Sequence, residues 1–184
     1  MTTDGLVSLN TDGPIWDQFY LVSPLVLIGT MNADGSHDLA PKHMAMPVSW
    51  DNWFGFVCTP AHATWQNAIR TGVFTVSYPT SEQTVAASLT AAPRCEDVKP
   101  ALVAVPVMPA KKVHGVLVEG CGLYLECELR RTVDGLGSNS MIIGEVVAAH
   151  VEEANERSPD RDDADLIRDQ KLLAFLYPDR FTRI

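Results

Sequence analysis

Positive charge is scarce in the first half of this chain and gathers where it could hold an anion. Lys42 is the first lysine or arginine, and only Arg70 joins it before residue 90. Lys42 and His43 fall on an extended run, whereas His62 and Arg70 flank or lie on the segment TPAHATWQNAIRTG, which has apolar residues at helical spacing in Trp65, Ala68 and Ile69. The first amides of a helix lack intrahelical partners and carry the positive end of its dipole. A phosphate at this helix start would therefore accept bonds from backbone N–H groups and from the hydroxyl of Thr59 or Thr64. Either threonine is a sound N-cap, with Pro60 suited to the first helical position if Thr59 serves, and Gly72 is the expected stop. Most helix starts bind only water, a lysine on a strand is usually solvated, and Asn67 suits a polar helix face, so spacing alone leaves the chemistry open.

The elements that must position these residues read as short antiparallel strands. Leu25 to Thr30 is followed by Asn32-Ala33-Asp34-Gly35, a turn tolerant of positive φ, and then by Asp38 to Met46 as the returning strand. Trp53 to Thr59, Val73 to Tyr78, Gly122 to Arg131 and Met141 to Val151 supply four more, and six such strands can close a small barrel. Short helices are expected at about Glu82 to Leu89 and Asp163 to Leu176, the second with acidic residues at its N-terminal end. Four prolines between Ala91 and Lys112 (Pro93, Pro100, Pro106, Pro109) predict an extended wrapping loop rather than a strand or helix. The acidic piece EEANERSPDRDDAD reads as a solvated connection.

Composition bounds the answer. The 184 residues suit one domain, residues 1–184, and the 46% hydrophobic and 20% charged shares are those of a globular protein. A formal net charge of −9 repels phosphate backbones and anionic headgroups, which argues against nucleic acid and membrane partners. No run approaches the ~18 apolar residues of a membrane span and the N-terminus lacks the pattern of a signal peptide, so a cytoplasmic location is expected. Cys58, Cys95, Cys121 and Cys127 have no C-x-x-C or zinc-like spacing, which predicts reduced thiols and no metal. No Ser-His-Asp set or paired-carboxylate motif is present.

The order of these segments resembles the flavin reductase-like (flavoredoxin-like) family of FMN-binding split barrels. SPLVLIGTMNADGSHDLAP is similar to its opening hairpin, with Asp38 where asparagine is usual. FGFVCTPAHATWQNAIRTGVFTVSYP resembles its strand, phosphate-side loop, T-x-x-N helix start and T-G-x-F-x-V strand, through Thr64, Asn67, Thr71, Gly72, Phe74 and Val76. GCGLYLECELRR and MIIGEVVAAHV look like its paired late strands, with Cys127 and Gly144 at matching positions.

The resemblance implies a mainly β fold, α+β by content: a six-stranded antiparallel split β-barrel of Greek-key type with a few short helices. It further implies that Ala40, Pro41, Lys42, His43 and Met44 run beside an isoalloxazine ring, while Cys58, Thr59, His62, Ala63, Thr64 and Asn67 surround the ribityl phosphate. The family's flavin lies at a homodimer interface, so a partner subunit is expected to complete the pocket, through the proline-rich loop or the C-terminal FLYPDRFTRI. The activity implied is that of an oxidoreductase passing electrons through FMN with NAD(P)H as donor. Many members place a histidine where this chain has Asn139, which keeps open a non-catalytic electron carrier, and a flavin-free ligand-binding or interaction barrel is the blander alternative. His43, standing where a small hydroxyl residue is common, is the candidate catalytic group, a donor of a hydrogen bond or proton to the reduced ring.

Overall fold

A computed structural model describes residues 5–91, 99–177 and 180–184. Its elements are β1 (Val22–Pro24), β2 (Val26–Met31), β3 (His37–Lys42), β4 (Ala45–Pro47), β5 (Trp53–Cys58), α1 (Ala63–Thr71), β6 (Val73–Tyr78) and α2 (Thr84–Ala91), then β7 (Val107–Pro109), β8 (Val116–Val118), β9 (Leu123–Leu136), β10 (Asn139–Val151), α3 (Asp163–Asp169), β11 (Leu173–Leu176) and β12 (Arg180–Arg183). Seven strands form one antiparallel sheet in the order β3-β2-β6-β9-β10-β5-β4, and β1-β11-β12 and β7-β8 form smaller sheets.

The predicted single strand from Asp38 to Met46 is in fact two. β3 pairs with β2 at one edge of the large sheet, and β4 pairs with β5 at the other. The two edges are joined by two residues, His43 and Met44, so the sheet closes on itself through the covalent chain rather than through a ladder. This is an antiparallel split barrel, with seven strands rather than the six expected.

Apolar residues of β2 explain why its sequence is a continuous hydrophobic run. Val26 and Ile28 pack inside the barrel with Phe54, Phe56, Phe74 and Ile142, whereas Leu25 and Leu27 face an outer layer with Leu39, Leu102, Leu117 and Leu173. Buried on both faces, the strand has no polar alternation to show. Inside the barrel the packing is close enough to require Gly144, since a Cβ there would lie 2.7 Å from the Phe74 ring and 2.9 Å from the Glu128 carbonyl.

Other expectations are refined. The Asn32–Gly35 turn forms, closed by Asn32 N–H to Ser36 O at 2.8 Å. Gly72 ends α1 at φ 72°, yet the N-cap is His62, extended and without a side-chain cap bond, rather than Thr59 or Thr64. Ile69 of the expected apolar face is exposed, and the buried face instead carries Thr64, Asn67 and Ala68. The second helix is displaced to Thr84–Ala91 behind a capping box of Thr80 and Gln83. The third stops at Asp169, because Leu173 and Ala174 are needed as strand residues against β1 and β12.

The proline-rich stretch is not a plain loop. Pro93 lies outside the described residues, but Pro100 opens a 3-10 turn and Pro109 ends β7, an edge position that asks nothing of its missing N–H. Asp162 caps α3 within the acidic connection, which also holds a 3-10 turn at Glu153–Asn155. Cys58, Cys121 and Cys127 are buried free thiols, and Cys95 lies outside the described residues. Among the described residues no helix is long and apolar enough to cross a membrane.

Candidate functional site

The break between β3 and β4 opens a cavity of about 600 Å³, within the range of small-molecule pockets. Ala40, Pro41, Lys42, His43 and Met44 form one wall, and Cys58, Thr59, His62, Ala63 and Thr64 form another around the start of α1. Ten of the eleven residues expected at a site are thus brought to one place by the tertiary fold. Asn67 is the exception: its amide donates to Asn32 Oδ1 at 2.7 Å and Thr30 Oγ1 at 3.3 Å and accepts from Arg70 at 3.2 Å. It fastens α1 to the β2–β3 turn and does not line the cavity. Arg70, one turn on, donates to the Met31 carbonyl and Asn67, away from the cavity.

The donor set at the helix start also differs from expectation. The Thr59 hydroxyl donates to Asn139 Oδ1 at 2.9 Å and the Thr64 hydroxyl donates to Asp38 Oδ2 at 3.0 Å. A hydroxyl has one proton, so neither threonine has one left for a phosphate. The amides of Ala63 and Thr64, in contrast, meet no hydrogen-bond partner among the described residues, while those of Trp65 and Gln66 are turned to the His62 carbonyl. Two main-chain donors at the positive end of a nine-residue helix, with Lys42 and His62 at the rim, are suited to one dianionic group.

Lys42 also touches the Cys58 thiol. Burial pushes that thiol up, and the Lys42 ammonium beside it, with the Trp65 amide, partly opposes the rise. Cys58 is therefore a protonated lining group rather than a thiolate nucleophile.

Several lining residues escape a sequence reading. Lys99 reaches back from the proline-rich segment to pair with Asp38 Oδ1 at 2.8 Å. Asn139 arrives from the β9–β10 turn, and Phe175 and Phe181 from the C-terminal hairpin. The His43 ring stacks on Phe175 at 4.1 Å between centroids and 13° between planes, and meets Tyr177 edge-on at 5.0 Å. The proline-rich segment and the C-terminal segment, expected from a partner subunit, thus wall the cavity of their own chain. The acid in DLAPK was the one available signal for Lys99, since a buried aspartate requires a cation or several donors.

Over residues 19–174 the sequence matches the family described as flavin reductase like domain. No curated protein matches the chain. Solved structures with the same fold include flavoredoxin from Methanosarcina acetivorans, 20% identical with a TM-score of 0.78 over 97% of this chain and 91% of that one. Flavoredoxin of Desulfovibrio vulgaris (Miyazaki F) is 17% identical, TM-score 0.79, over 97% of this chain and 93% of its own. A Streptomyces globisporus NADH:FAD oxidoreductase in complex with NAD and FAD fragments is 16% identical, TM-score 0.70, over 89% and 86%. At these identities the likeness is one of fold.

Proposed function

The chain belongs to the flavin reductase-like family, and on that premise we propose that it binds FMN in the β3–α1 cavity and acts as an NAD(P)H-dependent oxidoreductase of the flavin reductase type. The observation that carries the reading is that the amides of Ala63 and Thr64, which meet no hydrogen-bond partner among the described residues, converge with the side chains of Lys42 and His62 on one cavity whose opposite wall is Ala40–Met44. That donor set fits a single phosphomonoester. Lys42, His62 and the amides of Ala63 and Thr64 would hold it, and the β3 wall would seat a planar ring.

When bound, FMN would supply the redox chemistry between an NAD(P)H or protein donor and an acceptor. The chain's own residues bind, orient and exclude water. His43, whose ring stacks on Phe175, would hold or deliver a proton at an imidazole nitrogen. His43→Gln should shift the pH dependence of flavin reduction while the site stays filled; an unaltered profile removes His43 from the mechanism.

A homodimer fits the exposed apolar side chains of Met44 at the cavity and of Met46 and Trp50 along and beyond β4, the last fully exposed. Buried free thiols suit a reducing, cytoplasmic setting. A second reading, an electron carrier without direct nicotinamide use, is favoured by Asn139, whose amide at the cavity edge is held by Thr59. The test is to purify the protein, record its visible spectrum with and without added FMN, and then add NADH and NADPH separately under anaerobic conditions. Bleaching is the result expected of a reductase, a yellow but unresponsive protein indicates the carrier, and failure to take up flavin overturns both.

A further inference from the structure

The Asp38–Lys99 ion pair stands apart from every other lysine or arginine bridge among the described residues. Its side chains are 10% and 5% exposed for Lys99 and Asp38, whereas the arginine bridges have side chains 41 to 77% exposed. It also lies on the cavity wall.

Its position matters more than its burial. Asp38 Oδ2 accepts the Thr64 hydroxyl at 3.0 Å, and Thr64 is the second residue of α1, whose amide is one of the two left for an anion. A carboxylate is therefore one side chain away from the place where a phosphate would bind. Unpaired, it would oppose that phosphate across a poorly solvated gap. Lys99 removes the opposition: its Nζ meets Asp38 Oδ1 at 2.8 Å, and donates to the Leu39 carbonyl at 2.7 Å and the Thr90 carbonyl at 3.3 Å. All three ammonium donors are used, so the charge is fixed against Asp38 and is not itself free to bind a ligand.

We infer that Lys99 is a specificity-determining residue, which by cancelling Asp38 lets the start of α1 favour a phosphorylated flavin over the same ring system without phosphate. The inference rests on the flavin reading of the cavity and deepens it. Lys42 then supplies the net positive charge of this end, and Lys99 and Asp38 act through position and cancellation.

The experiment is to measure dissociation constants of FMN and riboflavin, by quenching of flavin fluorescence, for the wild type, K99M, D38N and the D38N/K99M double variant. Riboflavin reports the ring's seat, so general loosening of the pocket weakens both ligands alike and leaves their ratio unmoved. The FMN-over-riboflavin preference should fall roughly tenfold or more in K99M, where a carboxylate is left bare. It should rise in D38N, where the Lys99 ammonium is left without its counter-charge, and return near the wild-type value in the double variant, where both charges are gone. Should K99M fail to fold, a preference in D38N above that of the double variant supports the assignment and equality rejects it. A preference unchanged across the folded variants overturns the inference alone, and no preference in a wild type that binds both flavins overturns it together with the phosphate site at the start of α1. A wild type that binds neither flavin overturns it together with the proposed function.

Discussion

Two carboxylates are buried in this sheet, and they are held in opposite ways. Glu126 on β9 is fully buried and accepts from the amides of Lys111, Lys112 and Val113 at 3.0, 2.6 and 3.0 Å, with His150 Nε2 at 3.1 Å. Asp38 on β3 is held by two side chains, Lys99 and Thr64. A carboxylate seated in consecutive main-chain donors is fixed by the backbone, and nothing short of refolding the 110–115 turn releases it. One seated by side chains can have its field changed by a single substitution. The first belongs to the outer layer that pins the β7–β8 hairpin and the second to the cavity, so the contrast separates a carboxylate that holds the fold from one that lines the cavity.

The largest effect should come from Glu126→Gln, which puts an amide NH2 in place of one carboxylate oxygen, facing one or two of the three backbone donors, and loses the charge facing His150. A loss of about 3 kcal/mol or more in urea unfolding is expected, with the affinity of the remaining folded protein for FMN unchanged. Burial pushes the Glu126 carboxyl up, but the three amides and His150 outweigh it and hold it below its usual 4.5. A folded value below the unfolded one means stabilisation that is complete above about pH 4.5 and is lost on acidification through the folded value. The stability gap between wild type and E126Q should therefore narrow below that pH; a constant gap would show that the amides stabilise the neutral acid equally.

The D38N/K99M double variant sharpens the comparison. Replacing a buried ion pair by a neutral pair of similar shape is often close to neutral, so it should lie within about 2 kcal/mol of wild type. A fall as deep as that of E126Q would erase the distinction between the two sites.

Smaller effects follow at the cavity. Lys42→Met removes the charge left uncancelled at the helix start and should weaken FMN by about 1–2 kcal/mol while leaving riboflavin nearly untouched. Equal losses for both ligands would place Lys42 at the ring rather than at the phosphate. Thr64→Ala should cost about 1 kcal/mol of stability through the lost Asp38 bond, with little change in FMN affinity. A drop in affinity at constant stability would mean that the hydroxyl serves the ligand after all.

The legible part of this chain was whatever local chemistry controls. The Asn32–Gly35 turn, the stop at Gly72 and the strands Trp53–Cys58 and Val73–Tyr78 could be read because turn residues, a left-handed stop and β-branched runs act over a few residues. The helix start before Thr64, which lines the cavity, was legible for the same reason. The partners of its threonine hydroxyls are not legible, because Asp38 lies 26 residues from Thr64 and Asn139 lies 80 residues from Thr59 in sequence.

Amino-acid sequence by itself thus determined most of the central strands, the helix α1 and their order, since propensity and hydrophobic period are properties of short segments. Only the tertiary structure split Asp38–Met46 into two edges of one barrel, made a strand of Leu173–Leu176 and brought Lys99 to Asp38. Pairing and charge cancellation depend on what lies across space, and a buried aspartate states only that a partner is required, not which of the distant lysines the fold will deliver.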